Sequence, residues 1–193
     1  MLKRLLVSFI AIIVVFTTIG SASAAPLFKD VSDNFSAKKE LEYLAQRGII
    51  TVDPTVNFGV QQEITRLEAS EMIIKALGLD TDNRPAPNFT DVLPEDKGYA
   101  IIATIADEGI MNGNADGKFM PHDKLTRGQM AAILVSAFEL EGTTDYVFRD
   151  VPATYWASGA IQTLFAANVT TGYPDNTYKP TAFITKANFA VFI

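Results

Sequence analysis

The feature that most constrains the fold of this chain is an internal repeat of about 60 residues. The segment ITRLE at residues 64–68 returns, altered, as LTRGQ at 125–129 and as ITKAN at 184–188, which spaces its threonines by 61 and 59 residues. A second segment, FKDV at 28–31, returns with the same two spacings as FTDV at 89–92 and FRDV at 148–151. Because two separate motifs share these spacings, the chain contains three copies of one structural unit.

Each copy of the first segment is predicted to start a helix. Thr65, Thr126 and Thr185 are good N-caps, because a threonine hydroxyl can accept a hydrogen bond from a backbone N–H of the first helical turn. Glu68 and Gln129 follow three residues later and complete a capping box. The second helix of each unit is therefore predicted at about 66–77, at about 127–140, and from 186 to the end of the chain.

A first helix is predicted in each unit between the Phe-x-Asp-Val segment and a residue that ends helices. Apolar residues recur at helical spacing in about 36–47, 99–108 and 157–167. Gly48, Gly109 and Asn168 follow these stretches and can adopt the left-handed conformation typical of a helix end. Polar linkers at 81–88 and 141–146 separate the units.

The predicted architecture is therefore mostly α, with three tandem helix–loop–helix repeats. We assign residues 26–86, 87–145 and 146–193 to the three repeats, with a last helix that is short or truncated. A unit of this size buries little core on its own. The units are therefore expected to pack against one another in a pseudo-threefold arrangement.

Residues 1–24 are predicted to be a secretory signal peptide. Lys3 and Arg4 precede an apolar run at 5–19, and the small residues at 22–24 form a cleavage site. We expect a secreted protein without stable membrane insertion after cleavage. Removing the segment changes the formal net charge from −6 to −8, which argues against nucleic acid as a partner. The chain has no cysteine, which excludes disulfides and thiolate metal sites.

The residue after each N-cap threonine is a cation, which is unusual at a helix start. Arg66, Arg127 and Lys186 lie beside the positive end of a helix dipole, where a cation is disfavoured by about 0.3–1 kcal/mol. Free backbone N–H groups at a helix start, together with a cation, form a natural anion site. We therefore predict that an anionic group is received at these three positions.

The repeated motifs resemble S-layer homology domains, three in tandem over essentially the whole chain after the signal peptide. The resemblance rests on the FRDV segment with Trp156, on GYPDN at 172–176 with Tyr178 and Pro180, and on the Thr-Arg or Thr-Lys helix starts. It implies a cell-wall, S-layer or cell-surface location, with no catalysis and no cofactor. The implied partner is secondary cell-wall polysaccharide carrying pyruvate ketals, or a peptidoglycan-linked glycan, with self-association in a surface layer as a further expectation.

The resemblance also implies that the anionic sugar binds in grooves between repeats. Arg66, Arg127 and Lys186 would contact its carboxylate, for which Arg offers a bidentate fork. Loop glycines would let backbone N–H groups approach the ligand closely. The first unit departs from the family pattern, since its loop at 52–56 has no glycine. The other candidate ligand contacts are Gly113, Gly117, Gly172, Asp116, Asp175, Asp30, Asp91, Asp150 and Trp156.

Several alternative interpretations stay open at this point. The stretch 112–123 partly resembles a calcium loop, but its first and twelfth residues are atypical and a turn explains it better. Asp30, Asp91 and Asp150 recur, and capping of a following turn or helix explains them at least as well as ligand contact. The alternative functions are the N-terminal anchor portion of a longer S-layer protein or exoenzyme, and a small secreted carbohydrate-active enzyme with two carboxylates.

Overall fold

The computed structural model describes residues 27–193, so the predicted signal peptide lies outside the described part of the chain. Each repeat contains two helices, as predicted: α1 (Lys38–Gln46), α2 (Arg66–Leu77), α3 (Tyr99–Asp107), α4 (Arg127–Ala137), α5 (Ser158–Ala166) and α6 (Lys186–Phe192). Within residues 27–193, β structure is confined to isolated bridges, which confirms the mostly α fold. None of these helices is long and apolar enough to cross a membrane.

The predicted helix starts are confirmed in detail. The hydroxyls of Thr65 and Thr126 accept hydrogen bonds from the third helical N–H, and the side chains of Glu68 and Gln129 return the bond to complete both capping boxes. The predicted end of α4 is wrong by about three residues. The helix stops at Ala137, and the backbone at Glu139 turns to a φ of 48°, which a continuing α-helix does not allow.

Three residues just before these helix starts form a closed ring of hydrogen bonds at the centre of the molecule. The N–H of Ile64 donates to the carbonyl of Ile184 at 3.0 Å, that of Ile184 to Leu125 at 3.0 Å, and that of Leu125 to Ile64 at 3.1 Å. All three side chains are buried. Each repeat therefore contributes one equivalent residue to a shared centre, which is the relation that a pseudo-threefold arrangement requires.

The helices pack across the boundaries between repeats in the same cyclic order. The second helix of each repeat contacts the first helix of the next, as α2 with α3, α4 with α5, and α6 with α1. The first N–H of each second helix crosses the same boundary. Arg66 donates to the carbonyl of Asp123 at 2.9 Å, Arg127 to Ala182 at 2.9 Å, and Lys186 to Gln62 at 2.8 Å.

The recurring aspartates hold the loop that leads from the first helix to the second. The carboxylate of Asp30 accepts the N–H groups of Phe58, Gly59 and Val60 at 2.6–3.1 Å. Asp91 and Asp150 do the same for their own loops, each with two N–H groups at 2.8 Å, from Phe119 and Met120 and from Tyr178 and Lys179. The sequence suggested capping of the following turn or helix, or ligand contact, but the donors seen are backbone N–H groups 28–30 residues away.

These hydrogen bonds also set the ionisation of two of the carboxyls. Burial disfavours the charged form of Asp30 and Asp91, but the backbone N–H groups together outweigh it, so both pKa values lie below the ordinary aspartate value. A carboxyl with a lowered pKa stabilises the fold above its unfolded pKa, and this contribution is lost as the pH falls through the folded pKa.

We expect Asp91→Asn to lower the free energy of unfolding at pH 7 by about 1–2 kcal/mol, because an amide loses the charge that strengthens both backbone hydrogen bonds. Urea unfolding followed by circular dichroism measures this. Between pH 6 and pH 3 the variant should lose less stability than the wild type. Asp145→Asn, at an exposed linker position, is the matched control. Equal stability of the two variants would contradict a loop-holding role.

Candidate functional site

The three predicted cations do not stay at their own helix ends but reach across the boundary into the next repeat. Each lies over the aromatic residue that closes the loop of that repeat. The guanidinium of Arg66 is 4.6 Å from the ring centre of Phe119, and that of Arg127 is 4.6 Å from that of Tyr178. Lys186 closes the cycle, with its ammonium 5.4 Å from the ring centre of Phe58. The structure therefore places the three cations at equivalent positions in three boundaries between repeats.

The Arg127 groove is the cavity between the second and third repeats, with a volume of about 330 Å³. Nε of Arg127 donates to the carbonyl of Tyr178 at 2.8 Å, and the guanidinium also contacts the rings of Tyr173 and Phe192 at 5.1 and 5.8 Å. The arginine is only 7% exposed, so its position is fixed by packing. The residues that line the groove are Arg127, Val169, Thr170, Thr171, Gly172, Tyr173, Asn188, Val191 and Phe192.

In the described part of the chain, no carboxylate lines the Arg127 groove. Within residues 27–193, Nε is the one atom of this guanidinium with a protein hydrogen-bond acceptor. The two terminal nitrogens are therefore available to a ligand in the cavity. A fixed, unpaired guanidinium in a small cleft with hydroxyl and aromatic walls has the chemistry of a carboxylate site.

Arg66, at the boundary between the first and second repeats, has more of its guanidinium hydrogen-bonded within the protein. Its Nε donates to the carbonyl of Phe119 at 2.7 Å, and its Nη2 donates to that of Asn112 at 2.8 Å. Burial lowers the pKa of this guanidinium, while the charges of Asp123 and Asp91 act in the opposite direction. Nearby carboxylates would also repel an anionic ligand, so Arg66 is a weaker candidate than Arg127.

The Lys186 groove is the cavity of about 280 Å³ between the third and first repeats, lined among others by Ile49, Thr51, Glu68, Glu71, Lys75 and Lys186. Here the cation already has an acidic partner, since its Nζ lies 3.2 Å from Oε1 of Glu68. Burial opposes the ionisation of Glu68, but bonds from Thr65 and the charge of Lys186 outweigh it and lower the pKa. The carboxyl of Glu68 is therefore ionised at neutral pH.

The expectation that free helix N–H groups contribute to the anion sites is wrong for α2 and α4. The first two N–H groups of these helices donate to carbonyls of the next repeat, at Asp123 and Pro121 and at Ala182 and Pro180. The third N–H binds the N-cap threonine. At the starts of these two helices, the side chain of the cation therefore remains to meet an anion.

The other predicted contacts are distributed unevenly. Gly172 lines the Arg127 groove. The Asp175 carboxylate binds the Thr177 hydroxyl at 2.6 Å within its own loop, and Asp116 is exposed. Trp156 is 63% exposed against Tyr155 and is not part of the Arg127 groove.

Two of the predicted glycines are explained by packing against an aromatic ring. A side chain at Gly113 or Gly172 would collide with Phe89 or Phe148 respectively. Gly117 instead has open space around it and a φ of 70°, which suits a turn. In the same loop the side-chain oxygen of Asn114 accepts the N–H groups of Asp116 and Lys118 at 3.0 Å, as the turn interpretation requires.

Sequence reasoning missed Thr170 and Thr171, and it missed the helix face formed by Asn188, Val191 and Phe192. A signal for that face was present, because the three positions have the i, i+3, i+4 spacing of one helix surface. Nothing in the sequence places this face opposite a cation from another repeat.

Comparison with known protein families supports the division of the chain into three repeats. The family model of the S-layer homology domain matches residues 27–70, 88–131 and 147–190. The chain belongs to the S-layer homology family. Each matched segment ends a few residues into a second helix and includes one of the three cations.

Several relatives of this family member carry the names of surface-layer or anchoring proteins. It is 36% identical over 177 residues to the surface-layer 125 kDa protein of Lysinibacillus sphaericus, covering 88% of this chain and 15% of that protein. It is 29% identical over 177 residues to an S-layer protein of Bacillus thuringiensis subsp. finitimus, covering 89% and 21%. It is 31% identical over 146 residues to the cellulosome-anchoring protein of Acetivibrio thermocellus, covering 70% and 32%.

The chain thus spans about 15–32% of the length of these curated relatives. Family membership and the relatives support a secreted protein of the cell wall or cell surface with an anchoring role.

We expect Gly172→Ala to destabilise the protein by about 2–4 kcal/mol. The change places a side chain at a φ of 72°, which costs about 1 kcal/mol or more, and forces it against Phe148. Gly48→Ala is the control, because Gly48 has a similar φ of 70° but open space around it. Thermal unfolding should show the larger loss for Gly172→Ala. Equal losses of stability in the two variants would mean that the collision with Phe148 adds nothing to the destabilisation by Gly172→Ala.

Proposed function

We propose that this S-layer homology triplet anchors to the cell wall by binding a carboxylate-bearing, pyruvylated secondary cell-wall polysaccharide in the Arg127 groove. The observation that carries the proposal is the state of Arg127. Its guanidinium is held in place by Tyr178 and lines a cavity without any carboxylate. A peptidoglycan-linked glycan that displays the same carboxylate would satisfy the same contacts.

The groove suits a pyruvate ketal on a sugar. The terminal nitrogens of Arg127 can hold the ketal carboxylate in a bidentate contact, which is among the stronger charge-assisted hydrogen bonds. Thr170 and Thr171 belong to the same lining. The Thr171 hydroxyl can bind a sugar hydroxyl, while the Thr170 hydroxyl accepts the N–H of Gly172 at 3.3 Å and has its own proton to donate. Tyr173 and Phe192 offer apolar surface to the ketal methyl group and to the C–H face of the sugar ring.

The overall charge of the protein makes a local site necessary. The formal net charge of the whole chain is −6, so long-range attraction does not draw an anionic polymer to it. Binding should therefore depend on one positioned cation and fall only modestly with added salt, since few ion pairs form.

The proposal concerns the activity of this segment, and it applies equally if the segment is the anchor portion of a longer surface-layer protein or exoenzyme. Self-association in a surface layer remains an expectation. The Arg127 groove does not suit the alternative of a carbohydrate-active enzyme, because glycoside hydrolysis generally needs two carboxyl groups across the substrate and, among residues 27–193, no carboxylate lines this groove.

The test is retention of the purified secreted protein on isolated cell walls, before and after chemical removal of pyruvate. We expect Arg127→Met to weaken binding to untreated walls about 10- to 100-fold, because a charge-assisted contact is worth about 1.5–3 kcal/mol. The thioether chain keeps much of the packing against the aromatic rings. Arg127→Lys should recover part of the affinity.

Lys124→Met is the matched control, since it removes the same charge from an exposed position. It should bind like the wild type. The proposal would be contradicted if folded Arg127→Met were retained as well as Lys124→Met, or if removal of pyruvate left retention by the wild type unchanged.

A further inference from the structure

The Arg127 and Lys186 grooves share one architecture but differ in charge at one equivalent position. This position is the third residue of the second helix, which faces the cation from the preceding repeat. It is Glu68 opposite Lys186 and Asn188 opposite Arg127, and both of these residues line their grooves. In α4 the equivalent residue is Gln129. One groove therefore has an acidic residue where the other two repeats have a neutral amide.

Glu68 is held in a fixed position by its own helix. Its Oε2 accepts hydrogen bonds from the N–H and the hydroxyl of Thr65, both at 2.9 Å, which is the capping box of α2. This leaves Oε1 directed at Lys186, 3.2 Å from Nζ. Since the carboxylate is anchored at one oxygen, the ion pair forms with little further loss of side-chain freedom.

The charges around this pair cancel throughout the Lys186 groove. Its lining contains two cations and two carboxylates, and the second pair, Lys75 and Glu71, is also in contact at 2.7 Å. An incoming carboxylate would have to displace Glu68 from Lys186 and remain beside two negative charges. In the Arg127 groove the lining contains one cation and no carboxylate, so an incoming anion meets an unpaired guanidinium.

We infer that Glu68 acts as an internal competitor that closes the Lys186 groove to anionic ligands, so that the triplet binds carboxylate-bearing glycan asymmetrically, in the Arg127 groove and not in the Lys186 groove. This inference rests on the proposed function of the Arg127 groove. The residue at the third position of the second helix thus determines which groove accepts an anion. A capping residue thereby acts as a specificity-determining residue for the neighbouring repeat.

The first experiment moves the acidic residue into the open groove. In Asn188→Glu the new carboxylate lies opposite Arg127, in the position that Glu68 has opposite Lys186. Asn188→Gln is the matched control, with the same length and no charge. Affinity for pyruvylated wall polysaccharide, released from walls and measured by isothermal titration calorimetry, should fall at least about fivefold in Asn188→Glu relative to Asn188→Gln.

The reciprocal experiment opens the closed groove in a protein whose main site is disabled. Glu68→Gln keeps the capping box, because Gln129 forms the same box with Thr126 in α4. Added to Arg127→Met, it frees Lys186 and should raise affinity for the same polysaccharide at least about threefold over Arg127→Met alone. Thermal unfolding of each variant checks that the fold is retained.

The outcomes separate this inference from the proposed function. A fall in Asn188→Glu together with a gain in Glu68→Gln supports the inference. If either substitution leaves the affinity unchanged while Arg127→Met still weakens binding, the inference is overturned and the proposed function stands. If Arg127→Met itself binds like the wild type, the proposed function fails, and the inference fails with it.

Discussion

The structure depends on hydrogen bonds that pass from one repeat to the next around a closed ring. The central bonds among Ile64, Leu125 and Ile184 are buried, where an unpaired backbone group would be costly, so each repeat needs both neighbours. The N–H of the first residue of each second helix, two positions later, crosses the opposite boundary, as from Arg66 of the first repeat to Asp123 of the second. Three units that each bury little core alone thereby share one core and place a cation at each of their three boundaries.

The same crossings explain why cations occur at helix starts, where a dipole disfavours them. The helix N–H groups are already paired with the next repeat, so the cation has no anion-binding role at its own helix end. Its side chain extends over an aromatic residue of the next repeat, where contact with the ring face is favourable. A placement that is unfavourable at the helix start therefore puts the cation at a boundary between two repeats.

Much of the fold could be predicted from the sequence, because its determinants are local. The threonine N-caps, their capping boxes and the apolar helix faces each depend on residues within four positions of one another. The site was less predictable. The bond from Arg127 to Tyr178 joins residues 51 apart, and the pair of Glu68 and Lys186 joins residues 118 apart. The three cations could be identified from their repetition in the sequence. That Lys186 has an acidic partner and Arg127 has none among residues 27–193 could not.

The most direct measurement for the central claim is a nuclear magnetic resonance titration of the labelled protein with a pyruvate-ketal disaccharide and with its pyruvate-free form. We expect the ketal compound to shift the resonances of the Arg127 side chain, Thr170, Thr171 and Asn188, while those of Lys186 and Thr51 stay unchanged. The pyruvate-free compound should cause much smaller shifts. Equal responses to both compounds, or shifts centred on Lys186 with Arg127 unaffected, would contradict the central claim.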